Sequence, residues 1–267
     1  MAYRETNHLD PGDLLPGDIL LWSETNELST LIKQVDQGGY SHTLLYVGID
    51  PDDGEHKVIH ATSKGIIKQD LSDIITNQAV DLLDVYRCRG DFAVDKVLAN
   101  AESYLGGSYF YSELLLGGLV IMVVDEMHDP AKQIKTRISL AKKMHAIAQQ
   151  LKKPGGPEPM VCVQVATSAY WDADTSDQRT YAIKVKLDGG RKRVPQLFKK
   201  LLKTLIDFIK LTIGSHHESN ELTVSPDVEP VILKAGSTDL PLGTCTLRDL
   251  SHSPSLELVG SLKDEQN

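Results

Sequence analysis

Three residues carry the chemistry this chain could do: Cys162, His42 and His60. Cys162 follows Pro-Glu-Pro (157–159), Met160 and Val161, where Val161, Val165 and Ala169 begin to recur at helical spacing. Proline is favoured at and just before a helix start, because the first backbone N–H groups have no partner there. Cys162 is therefore expected in the first turn of a helix, where free N–H groups and the helix dipole favour a thiolate. His42 follows a Gly-Gly-Tyr-Ser turn at the mouth of a strand, and His60 closes the next strand in "VIHA". If those strands pair as a hairpin, the two imidazoles approach on one face. A thiol nucleophile needs a base, and the base needs an orienting group. Cys162, His42 and His60 could fill these roles in that order, with N–H groups at the helix start forming part of an oxyanion hole. The spacing also allows a plainer outcome. Cys162 would then be a small buried apolar residue, and the histidines strand residues satisfied by backbone carbonyls.

These residues need strands to hold the histidines and a helix to present the thiol. Residues 17–23, 41–50, 57–63, 65–71 and 81–88 read as consecutive strands joined by short turns. That order predicts an antiparallel sheet in an α+β fold, not a doubly wound parallel one. Helices are expected at 28–37, ending at Gly38-Gly39, and at 92–105, stopped by Gly106-Gly107. A turn, helix and strand over 245–262 close the chain. Between these segments lie an apolar run (114–124), two cationic amphipathic helices (132–153 and 194–214) and a short strand (180–187).

At 267 residues the chain is expected to form one domain, interrupted at 113–156 and 172–243. The apolar run is too short to span a bilayer. The N-terminus has no cationic-then-apolar leader, so folding in a reducing cytosol is expected. Three scattered cysteines make neither a disulfide framework nor a CxxC pair. Net charge is −9, yet residues 132–153 hold seven Lys or Arg and residues 184–203 hold eight. With 15 of 28 basic residues in those stretches, the rest is strongly acidic, which argues against nucleic-acid binding. The helix at 194–214 has a wide apolar face, which favours packing on the domain over membrane contact.

The segments "LLPGDILLWS", "GGYSHTLLYVG", "KVIHAT", "GIIKQDL", "AESYLGGSYFY", "PMVCVQVATSAY" and "CTLRDLSHSPSLELVG" together resemble the circularly permuted branch of the NlpC-type papain-like cysteine hydrolases. That branch is related to the lecithin:retinol acyltransferase group. The corresponding positions are Gly17-Asp18, Ser41-His42, His60, Gly106–Tyr109 and Cys162. The resemblance spans roughly 12–112, 157–171 and 244–262, and its strength lies in the order of the motifs. It implies a permuted papain-like fold, an antiparallel sheet or open barrel packed against helices, with the cationic segments as insertions. The family usually follows its cysteine with Ser or Thr and then Glu; Val163 and Gln164 stand here, which bears on the pocket wall and so on the substrate.

The resemblance further implies a cysteine amidase or peptidase acting through Cys162, His42 and His60, with peptidoglycan stem peptides as substrate. Without a leader, such an enzyme would reach a competitor's cell wall as an injected toxin, with an immunity or delivery protein as partner. Tyr40, Tyr109 and Gln164 are the candidate substrate contacts, Tyr109 serving equally well as core. Two alternatives stand beside this: a lipid acyltransferase or esterase working through a thioacyl enzyme, and a non-catalytic binding module of the same fold. No cofactor is called for. "SHHES" (215–219) lacks further ligands at fitting spacing, so no metal is expected. Cys88 and Cys245 are expected to pack, and Asp18 to hold the turn before its strand.

Overall fold

The computed structural model describes residues 6–109, 160–173, 183 and 245–263. Six strands form one antiparallel sheet in the order β4-β3-β2-β1-β5-β6. They are β1 (Ile19–Glu24), β2 (His42–Ile49), β3 (His56–Thr62), β4 (Gly65–Asp70), β5 (Val80–Cys88) and β6 (Leu256–Lys263). The helices are α1 (Glu27–Asp36), α2 (Leu71–Thr76), α3 (Val94–Ser103), α4 (Cys162–Ala173) and α5 (Leu247–Ser251). The sheet does not close on itself, because β4 and β6 pair on one side only. This is the expected α+β class with an open antiparallel sheet. The short α2, within "LSDIIT", went unpredicted because six residues show little helical periodicity. The apolar run at 114–124, both cationic helices and the strand at 180–187 lie outside the described residues, apart from Ile183. So do most of the expected insertions at 113–156 and 172–243.

Strand alternation divides the apolar residues between two faces. Ile19, Leu21, Leu45, Ile59 and Ala61 pack with Val97 and Ala101 of α3, Val165, Ala169 and Tyr170 of α4, and Leu250 of α5. On the opposite face Leu20, Leu44, Val58 and Val85 pack with Leu71 and Ile74 of α2. The central strand β1 is thus apolar at consecutive positions, the pattern of a strand covered on both sides. Residues 7–9 cover the free edge of β6, Leu9 N–H donating to Ser261 O (2.8 Å) and Ser261 N–H to Asn7 O (2.8 Å). Edge pairing with another chain is blocked there.

Three contacts fix α4. Tyr170 Oη donates to Gly17 O at 2.6 Å, Asn100 Nδ2 to Ala169 O at 3.1 Å, and Tyr104 Oη to Asp172 Oδ2 at 2.8 Å. Among the described residues no helix is long and apolar enough to cross a membrane.

Candidate active site

The β2–β3 hairpin and the β3–β4 hairpin build a line of three polar side chains. His42 and His60 are diagonal neighbours across β2 and β3, on the face of Leu44 and Val58. His42 Nε2 lies 2.9 Å from His60 Nδ1, and His60 Nε2 lies 3.0 Å from Gln69 Oε1 on β4. With Gln69 Oε1 as acceptor, His60 carries its proton on Nε2 and accepts on Nδ1. His42 must then carry its proton on Nε2, which leaves Nδ1 as its basic nitrogen. Trp22, opposite His42 on β1, lays its indole over that imidazole with ring centroids 4.5 Å apart.

Burial keeps both rings neutral. It holds the His42 pKa well below the ordinary histidine value, with His60 beside it acting in the same direction. Burial also lowers His60 to about 4, only partly opposed by the bond to Gln69.

Cys162 opens α4 and is buried. The residues just before it are seated beside the Gly106-Gly107 turn. Gly106 N–H donates to Ile66 O, Ile66 N–H to Gly107 O, and Met160 N–H to Ser108 O (3.0, 2.8 and 3.1 Å). Tyr109 forms a parallel bridge with Met160, so its backbone helps seat the strand leading to Cys162 while its half-buried ring packs against the larger core. Gln164 turns its side-chain oxygen back onto Val161 N–H at 2.8 Å. That is the reciprocal half of a capping box, a task a Glu at this position also performs.

Backbone N–H groups of Thr43, Val163 and Cys162 itself act on the thiol in the direction of a thiolate. Even-numbered β2 residues bond toward β1, as Tyr46 N–H does to Asp18 O, so Thr43 N–H points toward β3. The β2–β3 ladder begins only at Leu45–Ile59. Thr43, the β2 residue among these groups, follows His42 and precedes the first β2–β3 pair. Among the described residues no hydrogen bond joins the Cys162 sulfur to either imidazole. The helix start was expected to favour a thiolate, and the three N–H groups do pull that way. Desolvation outweighs them, and the thiol is pushed up to about 11.

The sequence-derived trio is thus divided: His42 and His60 are hydrogen-bonded to each other, and Cys162 opens α4. Tyr40 lies in the core, 4% exposed, its hydroxyl bonded to Asp84 and, at 2.9 Å, to Tyr86 Oη. Asp18 accepts from Leu15 N–H at 2.8 Å and also takes a bidentate bond from Arg87 (2.8 and 2.7 Å). Cys245 is buried in the larger core, and Cys88 is half-buried at the end of β5. Sequence inspection passed over Gln69, Trp22 and Thr43. Among the described residues no group of three or more His, Cys, Asp or Glu side chains converges to hold a metal.

An open antiparallel sheet flanked by helices, with a buried thiol at a helix start and a hydrogen-bonded histidine pair on the sheet, is the class of protein these features define. No family model matches the chain, and no curated protein matches it. Among solved structures it is similar to the crystal structure of metalloprotein yiiX from Escherichia coli O157:H7, at 15% identity and a TM-score of 0.47, over 92% of this chain and 96% of that one.

Proposed function

We propose that the protein is a cysteine hydrolase that cleaves an amide bond, with peptidoglycan stem peptides as its substrate. One observation carries this: the Gln69–His60–His42 chain leaves His42 Nδ1 as the basic nitrogen of the residue next to Thr43, whose N–H draws the Cys162 thiol toward its ionised form. His42 Nδ1 takes the thiol proton, and the thiolate attacks the scissile carbonyl carbon. His42 then protonates the leaving amine as the C–N bond breaks, giving a thioester. Water adds to the thioester, returning a proton through His42 to the sulfur and releasing the acid. Each group's burial opposes its own charge. Moving the proton within the pair creates opposite charges together, and their attraction in a dry site offsets that cost.

A second reading has one observation in its favour. Thiol and imidazoles all rest uncharged, as they would in a binding module that kept the fold. Incubation with purified cell-wall sacculi, followed by mass analysis of released peptides, separates the two. Soluble fragments carrying a new amine or carboxyl end are expected from the wild type and not from Cys162→Ala or His42→Ala. Sacculi left unchanged by the wild type sink the peptidoglycan assignment. Delivery as an injected toxin would add toxicity when the protein is directed to a bacterial periplasm and none from the cytoplasm.

A further inference from the structure

On the sheet face that carries the histidine pair, His42 has an aromatic neighbour as well as a polar one. Trp22 and His42 are Cα partners across β1 and β2. Their ring centroids lie 4.5 Å apart, with the planes inclined by 33°. Rings so close and so nearly parallel meet face to face, because side by side they would collide. His60 meets the same indole differently, at 5.8 Å and 75°. The indole face is thus offered to His42, while the partner ring stands nearly perpendicular to it. Trp22 itself is half-buried at the rim of the smaller core, where cover alone asks only for an apolar side chain.

A neutral imidazole gains little from such a face beyond packing, whereas an imidazolium is attracted by its negative π cloud. Proton uptake makes His42 that cation in a dry place. A histidine base commonly has a carboxylate behind it to offset the charge. Here the line behind His42 is His60 and Gln69, both uncharged. Among the described residues His60, on β3, is the titratable group that acts on His42, and a charge on it would repel. The indole is the neighbour that favours the charged ring. Resting on the hydrolase reading for the source of the proton, we propose that Trp22 is a positioning residue for the base, its indole face holding the imidazolium that His42 becomes. In that step the Cys162 S–H bond breaks, both its electrons stay on sulfur, and His42 Nδ1 forms the new N–H bond. His42 Nε2–H stays donated to His60 Nδ1, and that bond strengthens once its donor is charged. The indole exchanges neither proton nor electron.

The test follows proton uptake by His42 in the full chain, from neutral pH down to acid unfolding. Histidine ring shifts in NMR, assigned by their loss in His42→Ala, give the midpoint. The chain has two tryptophans, so Trp171→Phe leaves Trp22 as the sole indole, and its emission is expected to be quenched as the imidazolium forms. Two changes then separate a charge-holding face from a cover. A ring-fluorinated tryptophan keeps the bulk of the indole but draws electrons from its face; the His42 midpoint is expected about half a unit lower, a roughly threefold weaker hold on the proton. Trp22→Leu leaves an apolar cover without a face, and a fall of about one unit, or roughly tenfold, is expected. Any one of three results overturns the assignment: a midpoint unmoved by fluorination, a midpoint raised in Trp22→Leu as entry of water alone would give, or a His42 that takes no proton while the chain is folded. Neither readout involves Cys162, so failure here leaves the hydrolase reading standing. Unchanged sacculi beside the expected shifts sink that reading alone.

Discussion

Gln69 decides which nitrogen of each imidazole carries a proton, although its side chain never meets the sulfur. Its Oε1 takes the His60 Nε2 proton, and the choice passes through His60 Nδ1 to His42. Gln69→Leu removes that acceptor and leaves His60 free to place its proton on either nitrogen. On the proposed hydrolase reading, the expected result is a fall in kcat of roughly ten- to hundredfold, the scale seen when an orienting outer partner is lost, with little change in KM. Gln69→Glu acts through charge instead. A carboxylate bonded to Nε2 favours the imidazolium, so the His60 pKa should climb from about 4 toward the ordinary histidine value. Histidine ring shifts followed by NMR across the acid range would show that rise; an unchanged titration in Gln69→Glu would remove Gln69 from this role. Trp22 matters at the same scale, because its indole covers His42 and keeps water from the ring. At Cys162 two opposed effects meet, helix-start N–H groups that favour a thiolate and burial that opposes it. The helix-start N–H groups are present at Cys162, but a count of free N–H groups says nothing about how dry the sulfur is.

The β3–β4 hairpin is the element that ties the histidine line to the thiol. Thr62 pairs with Gly65 across a two-residue loop, which sets Val58 opposite Gln69 and His60 opposite Ile67. Gly65 has φ +106°, and a Cβ there would stand 2.5 Å from Gly107 O. That close approach lets Ile66 bond the 106–107 turn, and Ser108 O just beyond it accepts from Met160 N–H, two residues before Cys162. Gly65→Ala should therefore cost at least about 2 kcal/mol of stability, from a left-handed backbone plus a clash with main chain. Urea unfolding would measure it, and a variant as stable as wild type would mean that the turn yields freely. Much of this element was legible in advance. The strand alternation, the Gly-rich stop at 106–107 and the approach of His42 to His60 all follow from local pattern. Gln69 was legible in principle as well, since a two-residue loop fixes its register, but its place two residues beyond Ile67 drew no notice in an unremarkable strand. Thr43 was not legible. Its N–H counts among the groups that draw Cys162 toward the thiolate, and it lies before the first β2–β3 pair, Leu45–Ile59, a placement that residue type does not announce. Tyr40, expected at the substrate, has its hydroxyl bonded to Asp84 and Tyr86, more than forty residues away in the chain.

At the scale of the whole molecule, a sheet covered on both faces dries out groups that elsewhere would meet water. The smaller core on the α2 face buries His60 among Trp22, His42 and Gln69. The consequence is a pH dependence of folding with a definite sign. His60 has its pKa lowered from 6.5 to about 4 in the native state, so between those values the unfolded chain binds a proton that the native chain does not. Stability must rise with pH across that window: its contribution is complete above the unfolded value and is lost as pH falls toward 4. One proton amounts to ~1.4 kcal/mol per pH unit, so His60 alone accounts for about 3 kcal/mol over the window. His42 is shifted in the same direction and adds to the slope. Against the ~5–15 kcal/mol that holds a typical domain together, a loss of that size is large. The urea midpoint is therefore expected to drop sharply between neutral and mildly acidic pH, before most carboxylates titrate. His60→Gln, which keeps a polar side chain but no titrating ring, should flatten the fall by about one proton's slope. Equal midpoints at neutral and mildly acidic pH in the wild type would mean that water reaches the histidine pair. The neutral, oriented His42 that the proposed proton transfer from Cys162 requires would then be lost as well.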